Sequence, residues 1–162
     1  MTSSAGEVVA RPVKQLGLGA YWQDLEVGQT FRTLRRTVTE ADLVGFINAT
    51  GMLEAIFIDA EYQHGAIEGR LVPAALTLGL IEGMQFQTLI QGTGLALLDL
   101  SLVATAPVRV NDTISALITV SSVRPTSRNN RAIVSFSAQV FNQNNLVVLS
   151  YDVKRLVAGR PF

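Results

Sequence analysis

A chain of 162 residues, 48% hydrophobic and 16% charged, is long enough for one domain with a sizeable core. Its thirteen basic and thirteen acidic residues cancel, which argues against a global field that would recruit nucleic acid or an anionic membrane. It has no cysteine, so disulfides, thiolate nucleophiles and thiolate metal sites are excluded together, as suits the cytoplasm.

Residues 1–19 carry Gly, Ser and scattered charges without the apolar run of a secretory signal, and are expected to form a mobile tail ahead of a single domain over 20–162. Residues 29–38 have the composition of a first strand. Thr39 can cap a helix from Glu40 to about Thr50, with Asp42 completing a capping box and Gly51 ending it. Residues 51–72 lack periodicity, and a loop of that length inside a domain is a natural place for a site. Pro73 fits the first turn of a helix predicted to run to about residue 90. The first half of that helix is apolar all round and must be wrapped on most sides; at 71–81 it is too short to span a bilayer, which takes about 20 residues. Ala75, Gly79 and Gly83 form a stripe of minimal side chains, and two helical glycines cost roughly 1 kcal/mol each. Close approach by the sheet or a partner helix is the expected compensation.

Beyond Gly92 and Gly94 the period becomes two. Leu98, Leu100 and Leu102 oppose Asp99 and Ser101; Ile114, Ala116, Ile118 and Val120 alternate with Ser and Thr. Val134 to Val140 and Val147 to Val153 repeat the pattern, with Asn142-Gln143-Asn144-Asn145 as a hairpin turn between them. The class is α+β: an antiparallel sheet curved around one apolar helix.

Several segments resemble one family. Gly51-Met52-Leu53-Glu54-Ala55-Ile56-Phe57-Ile58-Asp59-Ala60-Glu61-Tyr62 is similar to the active-site loop Gly-Asp-x-Asn-Pro-x-His-x-Asp-x-Glu-Tyr of MaoC-like (R)-specific enoyl-CoA hydratases and acyl dehydratases. Residues 21–31 resemble the family's opening and 37–42 the start of its first helix. Residues 69–78 resemble the entry of its central helix, with Pro73-Ala74 for His-Gly, and 106–113 its Pro-Val-x-x-Gly-Asp-Thr turn, with Asn111 for Gly. The resemblance implies a hot-dog fold and a homodimer with sites between subunits. It also implies that Met52 and Phe57 occupy the positions of the family's catalytic Asp and His, and Glu54 that of its Asn.

Hydrating a 2-enoyl thioester requires a base for water, an acid for the alpha carbon and a donor for the thioester oxyanion. Met52 and Phe57 can perform neither proton step. By resemblance the oxyanion donor is a backbone N–H at the start of the central helix, which Ala74 and Ala75 can still offer. Gly51, Met52, Glu54, Phe57, Pro73, Ala74 and Ala75 are therefore the expected substrate-binding set, with a coenzyme A or carrier-protein acyl thioester as ligand and no other cofactor. Glu54, His64 and Glu82 are candidate replacement acids or bases, each against a plainer alternative: a solvated loop Glu, a surface His and an exposed helical Glu. Arg124, Arg128 and Arg131, near Pro125, could meet coenzyme A phosphates or simply be solvated. One His and no Cys argue against a transition-metal site. Three functions compete: an acyl-thioester binding protein without the dyad; an active hydratase, dehydratase or thioesterase using Glu54, His64 or Glu82; and a dimeric scaffold with a filled cleft.

Overall fold

The computed structural model describes residues 16–62 and 67–161; residues 1–15 of the expected tail and the candidate His64 lie outside them. Among the described residues, the stretch expected as one first strand is two short ones, β1 (Thr30–Arg32) and β2 (Arg36–Thr37). Both pair with β6 (Thr113–Pro125), Arg32 opposite Leu117 and Arg36 opposite Ile114. Four steps on one strand therefore face three on the other, and the surplus residue breaks the ladder as a bulge does.

Helix α1 (Glu40–Thr50) begins and ends as its sequence predicts. Thr39 Oγ1 accepts from the Asp42 N–H at 3.1 Å, and Asp42 Oδ2 accepts from the Thr39 N–H at 2.9 Å. Gly51 closes the helix at φ 71°, its N–H bonded to the Ile47 carbonyl at 2.8 Å. The Thr39 backbone N–H, and then Arg36, hold the Asp42 carboxyl below the usual aspartate range. A depressed folded pKa gives stability that is present above the unfolded pKa and lost as pH falls through the folded one. Asp42→Ala is thus expected to cost about 1 kcal/mol near neutrality, with the difference from wild type shrinking below about pH 4 in urea titrations.

The long helix α3 (Ala74–Phe86) stops earlier than its sequence suggests, giving way to turns over 87–93. Thr88 Oγ1 donates back to the Met84 carbonyl at 2.7 Å, the local competition that makes Thr a poor helix interior residue. The carbonyls of this turn region also hold the N-terminal segment, with Gly19 N–H on Gln91 O and Ala20 N–H on Leu89 O, both at 2.8 Å.

Strands β4 (Gly94–Ala104), β6, β7 (Arg131–Phe141) and β8 (Val147–Ala158) form the sheet expected after the helix, in the order β1-β6-β7-β8-β4 with every pairing antiparallel. A separate short ladder joins β3 (Leu71–Val72) to β5 (Val108–Arg109). The inward residues of β6, β7 and β8, such as Ile118, Phe136 and Val153, wrap Leu76, Leu80 and Ile81 of α3 in one core. Burying each large apolar side chain contributes roughly 1.5–3 kcal/mol. This is the hot-dog architecture.

Two expectations change. First, a Cβ built on Gly79 or Gly83 would meet nothing within 4 Å, so among the described residues neither the sheet nor another helix lies against these two positions. Their face points outward. Second, β4 does not alternate cleanly: a register shift between Leu97 and Asp99 displaces Leu98, and Leu95, Leu97, Leu98, Leu100 and Val103 stay at least 39% exposed. Among the described residues the strand is a sheet edge, with a ladder partner on one side only.

Candidate functional site

The segment expected as a structureless loop carries a single helical turn, α2 (Ala55–Ile58), between α1 and β3. Arg70 holds it in place. Its Nη2 forms an ion pair with Glu40 Oε1 at 2.6 Å, and its Nη1 donates to the Phe57 carbonyl, so one guanidinium ties α1, α2 and the entrance to β3 together. The same hydrogen bonds hold the Glu40 carboxyl below the usual range. Arg70 was not among the expected site residues, since its role needs a contact across thirty positions of sequence. The positions at which the loop agrees with the family serve the backbone: Gly51 supplies the left-handed cap, and Asp59 Oδ1 accepts the Glu61 N–H at 2.9 Å. Asn111, where the family has Gly, likewise takes up φ 76°.

The expected substrate-binding residues separate into two groups. Phe57, Pro73 and Ala74 line a cavity of about 210 Å³, walled further by Ile56, Val72, Thr77, Ala104 and Leu149. Gly51, Met52, Glu54 and Ala75 do not line it; Met52 is 41% exposed, and Glu54 is an exposed residue at the start of α2 that makes no side-chain cap. The Phe57 ring, half-buried against the core, stands at the cavity where the resemblance would put an imidazole.

The polar groups of this cavity are the start of α3 and one hydroxyl. The Pro73 carbonyl takes the Leu76 and Thr77 N–H groups at 3.0 and 3.1 Å, whereas among the described residues no loop carbonyl or side chain caps the N–H of Ala74 or Ala75. Such a helix start carries a partial positive charge and free donors. One turn along, Thr77 is fully buried and its Oγ1 has no hydrogen-bond partner. Sequence reasoning missed Thr77, because a Thr inside an apolar run reads as a core residue.

Glu82, expected on an exposed face, is half-buried and bound. Its Oε1 accepts from Gln85 Nε2 at 2.7 Å and from the Tyr151 hydroxyl at 3.0 Å, and its Oε2 accepts from Arg155 Nη2. Arg155, only 3% exposed, also stacks over the Phe86 ring at 5.6 Å. The outward carboxylate suggested by sequence is thus consumed by a network on α3 and β8, which leaves neither oxygen unpaired for water. Burial first, then the Glu82 charge, push the Tyr151 hydroxyl far above its ordinary range, so it remains a donor. Arg124 and Arg128 lie exposed about the β6–β7 hairpin tip, with Arg131 at the start of β7. The register Arg131↔Ala158 and Val140↔Leu149 puts that tip about 30 Å along the sheet from the cavity, too far for one chain to use both on one acyl group. No group of three or more potential metal-ligating residues occurs among the described residues, and no helix there is long and apolar enough to cross a membrane.

The fold and this site define a hot-dog protein with its cavity at the start of the central helix. No family model matches the chain. An (R)-specific enoyl-CoA hydratase from Rhodospirillum rubrum is 28% identical over 106 residues, which are 65% of this chain and 72% of that protein. The crystal structure of a MaoC-like dehydratase from the same organism superposes with a TM-score of 0.77 at 25% identity, covering 89% of this chain and all of that one. An R-hydratase from Pseudomonas aeruginosa, unliganded, gives 0.72 at 24% identity over 86% of each chain. The chain has the hot-dog fold and is similar to these MaoC-like hydratases and dehydratases.

Proposed function

We propose that this protein binds an acyl thioester, on coenzyme A or a carrier protein, in the cavity at the start of α3, and that it does so without the usual hydratase dyad. The observation that carries the reading is the pairing of the uncapped helix start with the orphaned Thr77 hydroxyl in one small apolar cavity. A thioester carbonyl is an acceptor for those N–H groups, and a short acyl chain matches the apolar walls. The aromatic ring of Phe57, in place of a proton-handling group, favours retention of ligand over turnover. The homodimer belongs to the same reading: joining two copies through β4 would cover Leu97, Leu100 and Val103 and complete the open ladder edge.

Titration calorimetry with butyryl-CoA tests this. Ala74→Pro removes one donor at a helix position where proline is sterically at home, and is expected to weaken binding roughly ten-fold. Thr77→Val is expected to weaken binding by a similar factor while stabilising the ligand-free protein by about 1 kcal/mol, since a buried unpaired hydroxyl is removed. Absence of butyryl-CoA binding, or affinity indifferent to both substitutions, would overturn the reading.

A further inference from the structure

A second cavity, larger than the first, lies at the other end of α3. It holds about 380 Å³ and is walled by Phe31 and Leu34 beside β1, by Met84 and Leu89 at the end of the helix, and by Ile118 of β6. Volume and lining both fall in the range of small-molecule sites, which are mostly apolar with a few placed polar groups. Thr33, Gln87 and Thr88 also line it, and Gln85 is the polar group buried within it. It is 2% exposed and lines the cavity, and its Oε1 has no hydrogen-bond partner.

The orientation of that amide is fixed by its neighbours. Nε2 donates to Glu82 Oε1 and to the Tyr151 hydroxyl, both at 2.7 Å. Flipping the amide would set its oxygen against the Glu82 carboxylate, so the nitrogen stays there and the carbonyl end is left without a donor. A buried acceptor of this kind carries a standing desolvation penalty until a donor meets it.

From these observations we infer that this cavity is a binding site for an uncharged amphiphile, a medium-chain aliphatic molecule whose terminal hydroxyl donates to Gln85 Oε1. The charge pattern selects the head group. A carboxylate would be desolvated against the Gln85 oxygen, and Arg155, the buried cation of the network, is already paired with Glu82. Arg32 is exposed at the cavity's lining and offers its charge in water, where it is worth little. The site is separate from the thioester cavity, with which it shares no lining residue, and does not depend on that reading.

The experiment uses the full chain and three probes of one length: 1-octanol, octyl methyl ether and octanoate, titrated calorimetrically. The alcohol is expected to bind about ten-fold more tightly than the ether, which cannot donate, and more tightly than octanoate. Met84→Trp, which fills the cavity from its wall without touching the Gln85 network, is expected to abolish octanol binding with circular dichroism unchanged. Gln85→Met is expected to level the alcohol and the ether; should that variant fail to fold, the three-probe comparison on the unaltered protein still decides. Equal affinities for alcohol and ether, tighter binding of octanoate, no octanol binding, or octanol binding that survives Met84→Trp would each overturn the inference.

Discussion

Crotonyl-CoA incubated with this protein is expected to stay unhydrated, and the triple variant Met52→Asp, Glu54→Asn, Phe57→His is expected to raise turnover measurably above that background. A general acid or base typically contributes 10²–10⁴-fold, and the expectation rests on the absence of both from the positions that the family resemblance assigns. The structure indicates which substitution matters most. Phe57 already lines the cavity beside Ala74, and a histidine there would put an imidazole within the cavity wall. Met52 is 41% exposed and does not reach the cavity, so an aspartate at that position acts only if the loop ahead of α2 closes. Recovery is therefore expected to be partial, on the order of 10²-fold, with most of it retained in Phe57→His alone. Loss of the enoyl absorbance band measures it. A folded triple variant that still binds butyryl-CoA yet shows no turnover would mean that the helix start does not polarise the carbonyl.

Local signals were legible in the sequence and long-range ones were not. The Thr39–Asp42 capping box, the Gly51 stop and the Asn142 turn are decided by residues within four positions of one another, and each forms as its spacing predicts. The hot-dog sheet was legible because β7 alternates along its whole length and β6 and β8 over most of theirs, with β6 losing the pattern after Val120 and β8 breaking it at Val148-Leu149. The failures share a cause. That Glu82 is captured by Arg155 depends on a pairing 73 positions apart, and nothing in the local pattern of α3 distinguishes a captured glutamate from a solvated one. The same holds for Arg70 and Glu40. In the loop over 51–72, the residue types that resemble an active site are plain in the sequence. Which of them line the cavity depends on α2, a four-residue helix too short to leave a periodicity. The glycine stripe is legible as an anomaly, and nothing among the described residues packs against Gly79 or Gly83 to explain it.

The buried network on α3 and β8 carries the largest expected effect on stability. Arg155→Met is expected to destabilise the protein by about 3 kcal/mol, since removing one partner of a buried pair leaves the other charge without compensation, at a typical cost of roughly 3–5 kcal/mol. The lower figure applies because the Glu82 side chain keeps 17% exposure and retains its bonds from Gln85 and Tyr151. Glu82→Gln strands the opposite charge on Arg155, whose side chain is 3% exposed and whose Nε already lacks a partner, so the loss there is expected to reach about 4 kcal/mol. Combining the two removes both charges together, and the double variant should be more stable than the sum of the singles predicts, with a coupling of about 1–3 kcal/mol. Urea unfolding followed by fluorescence of Trp22, the only tryptophan, measures all four corners of the cycle. Additive losses would mean that the two groups do not interact in solution, and that α3 is held to β8 by apolar packing of Leu76, Ile81 and Val153 alone.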